Sequence, residues 1–355
     1  MVKSQSQKKK NTKAGSRPAP KPKARIVKVE RAPRHHFHDR HDRDCAKHYA
    51  QTVMNPFDTP AGACVPSLPC LDSAKRKVFA RGVGACEAAG FGGINCATCM
   101  SSDGNSVVYT TGVSTGGGGA TSLQTANTAS KGNNSELTDS DFTNKLVQGR
   151  VVGCGIRIRY TGKQIDMNGT VYALEEPAHL KTTAMTIEDL RGFDKVKTMP
   201  FSREWVVATW QPVLPEETTY STSSYGVLAP TTPLIILIDC QGGPAGTTYP
   251  FEWEFYLHYE AIGSGARGKT RSHVSPVLGP RVTAALQQAP TTLFDDISNR
   301  KVNTNAVAER MMDHGSSWLR TADDILKGVT KTAAAAVTSR AAAQYMAGGL
   351  MAIGL

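Results

Sequence analysis

Several residue groups in this 355-residue chain could do chemistry by type and spacing, and most fail on inspection. Cys96-Ala-Thr-Cys99 has the two-residue gap of a zinc knuckle, but no second Cys/His pair follows at a distance that completes a tetrahedral set. His35, His36, His38 and His41 crowd one short stretch, yet their spacing is irregular and lacks cysteine support. Gly116 to Gly119 lacks the Lys-Ser/Thr of a phosphate loop and reads as a surface loop. No metal site, cofactor or turnover enzyme is expected. What remains is charge, and its distribution is uneven.

Residues 1–45 hold 14 Lys and Arg against 4 acids (Glu30, Asp39, Asp42 and Asp44), a net +10. The whole chain carries +11, so the other 310 residues share +1. A polycationic tail on a neutral body is unlike a basic globular enzyme. Lys8, Lys9, Lys10, Lys13, Arg17, Lys21, Lys23, Arg25 and Lys28 would act collectively on a polyanion such as RNA. Such binding releases counterions and weakens steeply with salt. Phe37 is the one aromatic residue before position 45, so base stacking is not the expected mode.

The elements that must position this tail follow from patterning. Residues 1 to about 50 are too polar to offset the entropy of ordering and read as a disordered arm. From 51 to 290 the texture is all-β. Strands are expected at 107–111, 150–160, 169–174, 205–210, 234–239 and 251–260, with only short helices such as 187–191. The run 234–238 is continuously apolar, as for a strand buried on both faces. Long polar connections between many strands point to a sandwich. From 291 to 355 the pattern changes. Val307, Met311, Leu319, Ala322, Leu326 and Val329 mark an amphipathic helix over 306–331, followed by an uncharged run, 341–355, too short to span a bilayer. The polar, basic start has no apolar segment of a secretory leader, so most of the eight cysteines are expected free.

Four segments carry a resemblance. Gly149-Arg-Val-Val-Gly-Cys-Gly-Ile-Arg-Ile-Arg-Tyr-Thr-Gly-Lys-Gln-Ile-Asp-Met-Asn-Gly-Thr-Val171 resembles a strand-turn-strand unit of nodavirus and tombus-like coat proteins. Phe251 to Glu260 resembles their final shell strand, and His273-Val-Ser-Pro-Val-Leu-Gly279 the loop leaving it. Asn55-Pro56-Phe57-Asp58 with Gly62-Ala-Cys-Val-Pro66 resembles the start of their shell. Residues 80–145 have no counterpart, no segment is left for a protruding domain, and the arm is poorer in arginine than many.

The resemblance implies an eight-stranded jelly roll in the coat of a small icosahedral positive-strand RNA virus. It implies a T=3 shell of about 180 copies, hence on the order of 1,800 interior positive charges for genomic single-stranded RNA. The place of action would be the virion, assembled in the host cytoplasm. It also implies one self-cleavage at an Asn-Ala bond, here Asn305-Ala306, assisted by a buried acid near the shell's start, here Asp58. The Asn amide attacks its own carbonyl carbon and displaces the next residue, with a carboxyl group moving the proton. Asn303 and Asn305 equally suit the cap of a helix. The C-terminal helix would either pack under the shell or, once released, meet a host membrane. Some coats hold calcium between subunits; Glu188-Asp189 and Asp295-Asp296 are adjacent acidic pairs, and nothing in the sequence selects them. The alternative is a cellular β-sandwich RNA-binding protein with a basic tail, which would form no particles.

Overall fold

The structure, a computed structural model, describes residues 36–60, 62–66, 72–86, 90–103, 105–112, 121–175, 182–227, 233–240, 248–270 and 277–317. Among them are ten strands: β1 (Ala74–Cys86), β2 (Phe91–Cys96), β3 (Val107–Thr110), β4 (Thr128–Lys131), β5 (Gln148–Tyr160), β6 (Thr170–Glu175), β7 (Lys197–Pro200), β8 (Val206–Trp210), β9 (Leu234–Asp239) and β10 (Tyr249–Ile262). Six α-helices accompany them: α1 (His36–Met54), α2 (Asp139–Thr143), α3 (Ile187–Arg191), α4 (Leu278–Gln287), α5 (Thr291–Ser298) and α6 (Thr304–His314).

Alternation builds the first sheet. In β10 Phe251, Trp253, Phe255, Leu257 and Tyr259 enter the core, and Glu252, Glu254, Tyr256 and His258 take the opposite face. β5 runs antiparallel beside it with Arg157 opposite Glu254 and Arg159 opposite Glu252. The alternation that buries Ile156 and Ile158 therefore sets two arginines against two glutamates, at 2.6 Å in each pair. β1 closes one edge and β8 the other, in the order β1-β10-β5-β8.

The second sheet has the order β4-β3-β2-β9-β6-β7. Its central strand β9 is buried on both faces, as its apolar run predicts. Leu234, Ile236 and Ile238 join the sandwich core, while Ile235 and Leu237 pack outward against Phe91, Tyr172 and Leu190, under α3. Every strand pairing is antiparallel, and the first two core strands pair with the last two, β1 with β10 and β2 with β9. Set aside β3 and β4, which extend one edge, and the remaining eight strands have jelly-roll order. The chain is an all-β jelly-roll sandwich.

A helical layer lies on the face of the four-stranded sheet that points away from the core. Ala46, Tyr49, Ala50 and Val53 of α1 share a second core with Val282 and Leu286 of α4, Leu293 and Ile297 of α5, and Val307, Ala308 and Met311 of α6. The sheet contributes Val152. Close approach is bought with glycine: a Cβ on Gly155 would lie 2.7 Å from Pro56 Cγ, and one on Gly153 would lie 3.3 Å from Thr52 Cγ2.

This layer revises the sequence reading in three places. α1 begins inside the stretch read as a disordered arm, because its polar composition hides apolar positions at 45, 46, 49, 50, 53 and 54 that form one helical stripe. α4, placed by sequence within the shell, belongs to the helical layer. The expected helix over 306–331 is helical from Thr304 to His314, with Val307 and Met311 on its buried face. Leu319, Ala322, Leu326, Val329, the apolar tail and all nine arm cations from Lys8 to Lys28 lie outside the described residues. Among the described residues no helix is long and apolar enough to cross a membrane. Cys45 and Cys64 are joined in a disulfide, whereas Cys96, Cys99, Cys154 and Cys240 are free thiols; these four and Cys86 are buried.

Candidate functional site

The turn after α1 is fixed to the sheet before any cleft forms. Lys77 Nζ of β1 donates to the carbonyls of Phe57 at 2.6 Å and Thr59 at 2.7 Å. Its ammonium is easier to deprotonate than usual, chiefly because burial disfavours the charge. His258 Nε2 lies 3.0 Å from the Pro56 carbonyl oxygen. Phe57 stacks under the Arg157 guanidinium at 4.2 Å, and Thr59 Oγ1 donates back to the Asn55 carbonyl at 2.6 Å. The Asn-Pro-Phe-Asp segment thus has a determined course.

α6 arrives from the other side. Asn303 is its N-cap, with Oδ1 accepting from the Asn305 N–H at 2.9 Å and the Ala306 N–H at 3.4 Å. Two ion pairs tie α6 to α1, Arg43 with Asp313 and Lys47 with Glu309, each at 2.9 Å. The bond to Lys47 holds the Glu309 carboxyl below its usual range.

Between the two helices and the turn lies a cleft of about 340 Å³, lined by Lys47, His48, Gln51, Asn55, Asp58, Asn303 and Asn305 among others. The fold therefore brings Asp58 and Asn305 to one cleft from opposite ends of the shell sequence. Gln51 Nε2 donates to Asn305 Oδ1. Asn55 Nδ2 donates to Asp58 Oδ2 at 3.2 Å, and Asn55 Oδ1 is buried without a hydrogen-bond partner. Burial lowers the His48 pKa, against the opposing pull of Asp44. Asp58 itself is exposed at the lip, where the sequence reading expects a buried acid. The reason is local: the turn spends its buried positions on Pro56 and Phe57, and the next side chain points out.

Gln51 and Asn55 escape sequence reasoning, since neither belongs to a motif. The signal that finds them is the apolar stripe of α1, which fixes the helix phase and puts both residues on one adjoining face.

Three of the four acids in the two adjacent acidic pairs are engaged within the fold. Glu188 pairs with Arg191 at 2.8 Å, and Asp189 caps α3 by accepting from the Thr186 N–H at 2.8 Å. Asp295 pairs with Lys197. Among the described residues no group of three or more His, Cys, Asp or Glu is placed to hold a metal ion.

No family model matches this chain, and no curated protein sequence matches it. Solved structures similar to it include that of infectious bursal disease virus strain Gt, at TM-score 0.42 and 10% identity, covering 72% of this chain and 100% of that one. The T13 particle of the same virus gives TM-score 0.41 and 8% identity over 76% and 98%. Cocksfoot mottle virus gives TM-score 0.27 and 9% identity over 55% and 96%.

Proposed function

We propose that this chain is the coat protein of a small nodavirus-like or tombus-like icosahedral virus, assembling into a T=3 shell and packaging single-stranded RNA through its basic arm. The observation that carries the reading is a jelly-roll sandwich joined to a segment with +10 of the chain's +11 charge. Mobile cations bind a polyanion without needing a shaped pocket, and a shell that gathers many arms makes weak contacts multivalent. The near-neutral body avoids repulsion between subunits that must pack side by side.

The test is electron microscopy of the full-length chain expressed alone and purified at moderate salt. Uniform particles about 30 nm across support the coat, because only closed symmetric interfaces give one size. A monodisperse monomer or dimer under varied salt, pH and RNA would move the reading to a cellular RNA-binding β-sandwich.

A single-turnover cleavage of Asn305-Ala306 belongs to the same proposal. Its support is the cleft that Asp58 and Asn305 share. Exposure of Asp58 in the isolated chain fits a reaction completed after assembly, when a neighbouring copy covers the lip. The freed segment from Ala306 onward would carry the membrane contact. Intact mass of aged, purified particles checks this: two fragments split between 305 and 306 support it, and one uncut chain overturns it.

A further inference from the structure

The cleavage reading names an acid and an amide but leaves open what holds them in register. Gln51 and Asn55 are four residues apart, and the Asn55 N–H donates to the Gln51 carbonyl at 2.7 Å, continuing the α1 hydrogen-bond pattern by one residue. Side chains at that spacing lie on one helix face, one turn above the other. One of them touches Asn305, and the other touches Asp58. Both are buried, Gln51 at 7% exposure and Asn55 at 2%, so neither is a casual surface contact.

We propose that α1 is the template of the self-cleavage, with Gln51 the positioning residue for the Asn305 carboxamide and Asn55 the positioning residue for the Asp58 carboxylate. This rests on the cleavage reading above. The Gln51 N–H donated to Asn305 Oδ1 fixes which end of the carboxamide is held and leaves Nδ2 as the free end. It also draws electron density from the amide, which makes an Nδ2 proton easier to remove. Asn55 spends its N–H on Asp58 and keeps a buried, unpartnered Oδ1, an acceptor for a donor brought into the cleft.

The step balances without a co-reactant. Asp58 takes one proton from Asn305 Nδ2, and Nδ2 bonds to the backbone carbonyl carbon of Asn305. The bond from that carbon to the Ala306 nitrogen breaks, and the nitrogen leaves with the proton returned by Asp58. One fragment ends in a cyclic imide at Asn305, which water later opens, and the other begins with the free amine of Ala306.

A plain structural role would predict that Gln51 only staples α1 to α6, as Arg43 does through Asp313 outside the cleft. The experiment separates the two. Full-length chains are assembled as wild type, Gln51→Met, Gln51→Glu, Asn55→Leu and Arg43→Met, and cleavage is followed by intact mass over time and pH. Gln51→Met should slow cleavage about 100-fold, the cost of a small misplacement at a reacting centre, with melting temperature close to that of Arg43→Met. Arg43→Met should cleave within about threefold of wild type. Gln51→Glu should invert the pH dependence, its rate rising toward acid as the new carboxyl gains a proton to donate. Asn55→Leu should slow cleavage by releasing Asp58. Wild-type rates in Gln51→Met, or equal slowing in Arg43→Met, overturn the template while leaving the cleavage reading intact. An uncut wild-type chain overturns both.

Discussion

His258 holds the carbonyl of Pro56 across 3.0 Å, in a ring that is 1% exposed. The carbonyl only accepts, so the shared proton sits on Nε2, and Nδ1 is left buried without a partner. Burial pushes the His258 pKa down from 6.5 to about 4, aided by Lys77 and opposed by the bond to Pro56.

The folded chain therefore refuses a proton that the unfolded chain accepts. Stability is full above pH 6.5, falls as pH drops from 6.5 to about 4, and levels off below. A gap of that size is worth roughly 3 kcal/mol. Denaturant unfolding of the disassembled chain should show this slope, and His258→Gln, which keeps a donor to Pro56, should lose most of it. His48 shifts in the same direction, so a shallow slope should survive. An unchanged slope in the variant would falsify the assignment.

Gly155→Ala puts a methyl group against Pro56, which cannot move without lifting the turn that carries Asp58. The cost should be about 1–3 kcal/mol, as for other overpacked sites, with slower cleavage. Gly153→Ala meets Thr52 Cγ2 at 3.3 Å and the Trp210 carbonyl oxygen at 3.4 Å, both looser contacts, and should cost less. Paired melting curves give the order.

Lys197 and Asp295 join β7 to α5 with little access to water. Burial pushes the Asp295 carboxyl up, against the pull of Lys197. Lys197→Met leaves that carboxyl unpaired and should destabilise the chain by about 3–5 kcal/mol, whereas adding Asp295→Leu should recover most of the loss. Recovery in the double variant is the deciding measurement.

Removing residues 1–35 should lower the RNA content of particles while the fold survives. For nine arm cations on single strands, log affinity should fall against log salt with a slope of about −6 in the full chain and flatten after deletion. Removing 1–45 also takes the first half of α1, with Arg43 and Cys45, and should lose the helical layer as well. Circular dichroism distinguishes the two deletions.

That last contrast shows where sequence reading stops. β5, β6, β8, β9, β10 and α3 are legible because each has a clean period or an unbroken apolar run. β1 opens on Lys75-Arg76-Lys77 and carries Gly82 and Gly84, so it reads as charge and loop; only its pairing with β10 makes it a strand. β2 carries Gly92 and Gly93 and is similarly masked. α1 is hidden by its histidines and acids, since composition outweighs a stripe that begins only at Cys45. At the cleft, resemblance supplies Asp58 and Asn305, but Gln51 and Asn55 matter only through tertiary placement.

The pairing of β1 with β10 also has a consequence for synthesis. Ala74 finds its partner at Ala261, so the four-stranded sheet cannot close until nearly the whole shell has left the ribosome. At about 5–20 residues per second, that delay is on the order of 10–40 s. The cationic segment emerges ahead of the strands. If it packages RNA as proposed, contact with the translated message can begin before the sandwich exists, which would tie the choice of RNA to the place and moment of translation.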